Sequence, residues 1–170
     1  KTAQAATYQD LLKDEHDQDL FEFYAKSQLA LVDSVTGAQR PLGEAGLHSA
    51  AKHSPDGKYL LVTKLRRPFS YRVPFQSFTR SVEVWDAQAS RVSTIADLPV
   101  SDEVPRQGVP LGPRAVAWQP LQTATLVWTE ALDGGDPIKQ APHRERLMTL
   151  SVSTPMTESA EVSSAPESAS

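Results

Sequence analysis

The chain has no cysteine among its 170 residues, which excludes a disulfide framework, a thiolate zinc site and a cysteine nucleophile while leaving the compartment open. It has no basic surplus either. Seventeen Lys and Arg stand against 21 Asp and Glu, a formal net charge of -4, so the overall field that draws proteins to nucleic acid or to anionic membranes is missing. No nucleic-acid or membrane partner is expected. No apolar run approaches the roughly 20 residues that span a bilayer. Lys1 opens the sequence without a basic and then apolar leader, so a targeting peptide is expected to have been removed or to lie outside it. The length sets one compact unit as the ceiling.

What is present is a succession of short β patterns between two unlike ends. Residues 151–170 hold seven Ser, two Pro and three Glu with no aromatic and no basic residue, a composition that buries too little to offset ordering entropy, and a disordered tail is expected there. At the other end Tyr8, Leu11, Leu12, Leu20, Phe21 and Tyr24 recur at helical spacing opposite Lys13, Asp14, Glu15, Asp17 and Asp19. This predicts an amphipathic helix from Tyr8 to Tyr24, about four turns long, with Thr7 as its N-cap. Strands are expected at 28–33, 39–42, 58–64, 81–86, 91–98, 114–119, 125–130 and 146–151. Turns at Ser34 to Gly37, Ser54-Pro-Asp-Gly57 and 87–90 separate the earlier ones.

The strands repeat. Leu61-Val62 matches Leu126-Val127 at an offset of 65 residues, Val82 to Asp86 matches Leu147 to Ser151 at the same offset, and Leu29 to Asp33 precedes Val82 to Asp86 by 53. Four strands in each unit of roughly 40 to 50 residues predict a β-propeller rather than the alternative, a β-sandwich. The expected architecture is all-β: an N-terminal helical segment over 1–27, a partial propeller of two to three four-stranded blades over 28–150, and the tail over 151–170. Closed propellers use about four to eight blades. The blade region is too short for that, so further blades are expected in another chain or in a longer protein.

Several blocks then carry a resemblance. Leu11-Leu-Lys-Asp-Glu-His-Asp17, Ser54-Pro-Asp-Gly-Lys-Tyr-Leu-Leu-Val62, Arg67-Pro-Phe-Ser-Tyr71, Val82-Glu-Val-Trp-Asp86, Ala96-Asp-Leu-Pro99, Gly112-Pro-Arg114 and Thr129-Glu-Ala-Leu-Asp-Gly-Gly-Asp136 resemble the N-terminal propeller of the glutamyl endopeptidase branch of the prolyl oligopeptidase family. The resemblance spans about residues 7 to 150. It implies a serine peptidase in which a propeller screens peptide substrates for an α/β-hydrolase domain, and it implies an extracytoplasmic home. The sequence after Ser151 departs from that pattern. No Gly-x-Ser-x-Gly elbow occurs, and His16, His48, His53 and His143 lack the acid and serine spacing of a triad, so no catalytic residue is assigned.

Local chemistry offers one substrate-facing candidate. Lys64, Arg66, Arg67, Arg72 and Arg80 fall in one inter-strand loop region without an intervening acid, and Lys139, His143, Arg144 and Arg146 fall in the equivalent loop of the next unit. Equivalent loops of successive blades share a rim, so Arg66, Arg67, Arg72, Arg80, Arg144 and Arg146 are expected to face acidic peptides; the alternative is a solvated or internally paired loop. No cofactor or metal site is expected: the carboxylates around His16 read as a solvated helix face, and Asp133-Gly-Gly-Asp136 as a tight turn. Trp85, Trp118 and Trp128 are expected to pack between blades. Two other readings remain at this point. One is a binding module using Phe69, Tyr71, Phe75 and Phe78 as a contact patch; the other is an inactive remnant.

Overall fold

The computed structural model describes residues 8–105 and 107–152. The expected Thr7 cap and nearly all of the expected tail lie outside the described residues. The fold is mostly β, as expected. A five-stranded antiparallel sheet runs in the order β1 (Ser27–Val32), β2 (Gln39–His53), β3 (Tyr59–Leu65), β4 (Arg80–Asp86) and β5 (Arg91–Leu98). A three-stranded sheet follows with β6 (Arg114–Trp118), β7 (Thr125–Ala131) and β8 (Glu145–Ser151). The described residues form no closed ring of sheets, and neither sheet has the four strands expected of a blade.

Aspartate-centred turns set the hairpins. Asp33 Oδ1 accepts from the Val35 and Thr36 amides at 2.9 and 2.7 Å, and Asp86 Oδ1 accepts from Gln88 and Ser90 at 2.9 and 2.8 Å. At the second turn the Ser54 hydroxyl donates to Asp56 at 2.6 Å while Gly57 takes a φ of 70°. One strand is longer than its pattern. Instead of ending near Leu42, β2 continues to His53, pairing β1 with its first half and β3 with its second. The strand runs through Gly43 and Gly46. Gly43 has a φ of 70°, and a Cβ there would lie 2.8 Å from the Trp85 ring.

The helix is shorter than its periodicity suggests. α1 covers Glu15–Ala25, beginning where the Asp14 carboxylate accepts from the Asp17 amide at 2.9 Å. The Asp17 side chain in turn accepts from the Lys13 amide at 3.0 Å. Phe21 is its main anchor, edge-on to Phe69 at 5.2 Å and to Phe78 at 5.6 Å. Tyr24, expected on the packed face, is 78% exposed.

The two sheets stack. Leu61, Val82, Val84, Ala96 and Leu98 of the first sheet enclose Leu126 of the second, with Val116, Trp118 and Trp128 alongside. The Trp118 indole donates to the Lys52 carbonyl at 2.9 Å across the interface. Register corrects the expected repeat. Tyr59 pairs with Asp86 and Thr125 with Ser151, so mapping β4 onto β8 at 65 residues forces β3 onto β7 at 66. A one-residue slip exchanges the faces of a strand. Leu126 therefore corresponds to Leu60, and Val127, not Leu126, corresponds to Leu61.

Candidate functional site

Three segments build one end of the stacked sheets: the β3–β4 connection (66–79), the β5–β6 connection (99–113) and the β7–β8 connection (132–144). The middle segment ties the outer two together. Its Ser101 amide donates to the Ser77 carbonyl at 2.9 Å, its Asp102 carboxylate accepts from the Ser70 hydroxyl at 3.3 Å, and its Val109 amide donates to the Gly135 carbonyl at 3.1 Å. A cleft of about 480 Å³ opens where it meets the last segment, lined by Gln107, Gly108, Val109, Asp133, Gly135 and Arg144 among others. The glycines permit this approach: a Cβ on Gly135 would lie 2.1 Å from the Val109 carbonyl oxygen. Asp133 is buried and accepts from the Gly135 amide at 2.9 Å, so this carboxylate organises the turn.

The six candidate arginines lie on or beside these segments, and most already hold protein groups. Arg66 pairs with Asp97. Arg67 bridges to Asp19 at 2.6 Å and Glu22 at 2.8 Å on α1, and its guanidinium lies 5.3 Å from the Phe69 ring centroid. The bonds to Glu22 and then Asp19 raise its pKa further. Arg80 donates to the Gln76 carbonyl at 2.5 Å, and burial lowers its pKa. Arg144 reaches Asp133 at 3.4 Å and the Pro137 carbonyl at 2.9 Å. Arg146 pairs with Glu130 at 2.8 Å. Among the described residues Arg72 alone of the six has an exposed guanidinium with no partner.

Sequence reasoning missed the acids that hold these cations. Asp19 belongs to the helix face read as solvated, and Glu22 was given no role; beside the six, Arg114 pairs with Glu145. A second regularity also escaped notice. The Trp85 indole donates to Glu83 at 2.8 Å and the Trp128 indole donates to Glu130 at 2.9 Å, each acid also approached by a cation, Lys64 or Arg146. Residues two apart on a strand share a face, so the Glu-x-Trp and Trp-x-Glu spacings were the available signal. For Glu83, burial by itself raises the pKa, but the Trp85 and Ser81 bonds with Lys64 and Arg91 outweigh it and the net shift is downward. Of the four aromatics offered as a contact patch, Phe69 and Phe78 are core residues stacked at 5.1 Å; Tyr71 and Phe75 are exposed.

The similarity to known proteins agrees with the resemblance in the sequence blocks. Two plant proteins, each named probable glutamyl endopeptidase, chloroplastic, from Oryza sativa subsp. japonica and Arabidopsis thaliana, are 42% identical to this chain over 135 residues. This chain is a homologue of one part of these two plant proteins. The match covers 78% of the chain and 14% of each plant protein. No family model matches. An uncharacterized protein from Listeria monocytogenes gives a TM-score of 0.44 at 10% identity, covering 92% of this chain and 42% of that one. That likeness is too low to assign a fold. The described residues include no helix long and apolar enough to cross a membrane.

Proposed function

We propose that this chain is the non-catalytic propeller portion of a glutamyl endopeptidase of the prolyl oligopeptidase family, orienting acidic peptides for a hydrolase domain carried outside it. The observation that carries the reading is the 42% identity over 135 residues. The stacking of two antiparallel sheets, with β7 and β8 matching β3 and β4, supports the propeller. The absence of a nucleophile elbow from the sequence supports a non-catalytic role.

Within the rim, Arg72 is the residue free to meet a substrate carboxylate with a bidentate fork. Arg66, Arg67, Arg144 and Arg146 shape the surface around it through their internal pairs. Two experiments test this. A fluorogenic glutamyl peptide is assayed with this chain, with any protein encoded immediately downstream, and with both; activity only in the mixture is expected, and turnover by this chain alone refutes the reading. In a full-length homologue, reversing the charge at the position of Arg72 is expected to raise the Michaelis constant for acidic peptides and leave neutral ones unchanged. Reversal at Arg66 and Arg67 is expected to affect both substrates, because those residues hold structure. An equal effect of the Arg72 reversal on acidic and neutral peptides sinks substrate contact by Arg72.

A further inference from the structure

Ser70 and Val73 are buried, while Tyr71 and Arg72 between them are exposed. The bend is anchored at both ends and turns two consecutive side chains to solvent. The Ser70 hydroxyl holds it, donating to Asp102 at 3.3 Å and accepting from the Arg72 amide at 3.1 Å. Arg72 is the carboxylate contact of the proposed function. Its neighbour brings a second donor.

That donor is fixed by hydrogen-bond polarity. Arg67 Nη1 lies 3.2 Å from Gln18 Oε1, and a guanidinium can only donate, so the Gln18 amide must turn its oxygen to Arg67. The amide nitrogen then faces Tyr71 and donates to the phenol oxygen. This occupies a lone pair of the phenol and leaves its own proton without an acceptor among the described residues. Tyr71 is 45% exposed, so the proton is open to a ligand. Arg67 adds no net attraction, because Asp19 and Glu22 already hold its charge.

We propose that Tyr71 is a specificity-determining residue for acidic peptides: its hydroxyl donates to the side-chain carboxylate that Arg72 binds. Arg72 supplies the charge, and Tyr71 supplies a donor whose oxygen is held from α1. A carboxylate accepts from both donors through its two oxygens. A glutamine side chain has one carbonyl oxygen and an amide nitrogen that only donates, so it meets one of the two donors with the wrong polarity. The inference rests on the acidic-peptide part of the proposed function.

The test is an NMR titration of the full chain with the acetylated and amidated peptide Ala-Leu-Glu-Ala, up to about 20 mM, where weak single contacts register. A glutamine counterpart is titrated alongside, once blocked and once with a free C-terminus. The glutamate peptide is expected to shift the amides of residues 70–73 and to bind more tightly than either counterpart. Tyr71→Phe keeps the ring and loses only the hydroxyl; it is expected to weaken the glutamate peptide about tenfold, as for one hydrogen bond to a charged group, and to leave the blocked glutamine peptide unchanged. Gln18→Ala keeps the phenol proton and is expected to cost clearly less. Equal binding of the glutamate peptide to Tyr71→Phe overturns the proposal, as does an equal loss in Gln18→Ala, which makes the docking of α1 the cause. Shifts produced only by the free C-terminus make the ligand a terminal carboxylate and also overturn it. If Arg72→Gln abolishes binding while Tyr71→Phe does not, the acid contact stands without Tyr71. Activity in the mixed-chain assay reports on the peptidase part separately, so either can fail alone.

Discussion

Replacing Leu126 by Ala tests the stacking and its register together. Leu126 is fully buried, enclosed by Leu61, Val82, Val84, Ala96 and Leu98 from the opposing sheet. Truncation there removes the transfer energy of the side chain and leaves a cavity between two sheets that are each held by their own hydrogen bonds, so collapse is limited. Leu→Ala changes at such sites cost about 3–5 kcal/mol. In a protein of this size that lowers the melting temperature by roughly 6–20 °C. The next residue, Val127, points to the opposite, uncovered face, and Val127→Ala should cost about 1 kcal/mol or less. Leu147→Ala removes a side chain that is 67% exposed; at about 2 kcal/mol for burying a whole leucine side chain, the loss is again below about 1 kcal/mol. Urea titration followed by tryptophan fluorescence measures all three, with Trp118 and Trp128 at the interface as reporters. A Val127→Ala cost equal to that of Leu126→Ala would refute the register, because it would put Val127 in the packed layer.

Other residues give independent tests. Arg67→Ala should release α1 from the β3–β4 connection, seen as faster amide exchange over Glu15–Ala25, and Arg67→Lys should restore little because Asp19 and Glu22 need a forked donor; unchanged exchange in both variants rules out the clamp. Gly135→Ala combines a φ of 73° with a Cβ 2.1 Å from the Val109 oxygen and should destabilise by about 1–3 kcal/mol, read by thermal melting; a neutral change contradicts the close approach. His48 has both ring nitrogens enclosed without a partner of good geometry. Enclosure lowers its pKa, with a smaller push from Lys64, and the Ser27 backbone and Glu83 offset this only in part. The unfolded chain thus binds the proton first: the contribution is intact above about pH 6.5 and falls as pH drops through that value toward the lower folded pKa. His48→Gln should flatten stability over that window and leave the carboxylate losses, which begin near pH 4.5 and below, in place; an unchanged slope shows that His48 does not set it.

Strand positions were legible because alternation and turn chemistry are local. Ser54-Pro-Asp-Gly57 and Asp86 to Ser90 specify their turns through side chains two to four residues away, and the flanking strands fall within a residue or two of expectation. β2 was not legible, since its continuity through Gly43 and Gly46 depends on having β1 on one side and β3 on the other. The start of α1 was misplaced for a similar reason. Apolar spacing reaches back to Tyr8, but Asp14 caps the helix locally and Asp10 takes a φ of 56°. The arginine cluster was visible as composition; its acids come from elsewhere, Asp19 and Glu22 from α1, Asp97 from β5, and Glu130 and Asp133 from β7 and the turn after it. Periodicity holds no record of such pairings.

Those pairings change what kind of attraction the rim offers. A steering field needs net charge over a surface, and Arg66, Arg67, Arg144 and Arg146 each have a carboxylate within ion-pair distance, so beyond a few ångströms each is a dipole rather than a charge. That leaves Arg80, half-buried against backbone carbonyls, and the exposed Arg72 and Lys139, each with a field screened over about 10 Å at 0.1 M salt. An acid preference carried by this chain therefore acts by contact, not by long-range capture. The two differ in salt response. Capture by a ring of six cations would make kcat/KM for acidic peptides fall steeply between about 50 and 200 mM salt, as electrostatically steered association does. Contact through Arg72 makes the decline shallow and confines it to substrates with an acid at the position Arg72 reaches. A steep decline in a full-length homologue, persisting after Arg72 is neutralised, would mean that the internal pairs open in solution and that the rim acts as a collective field.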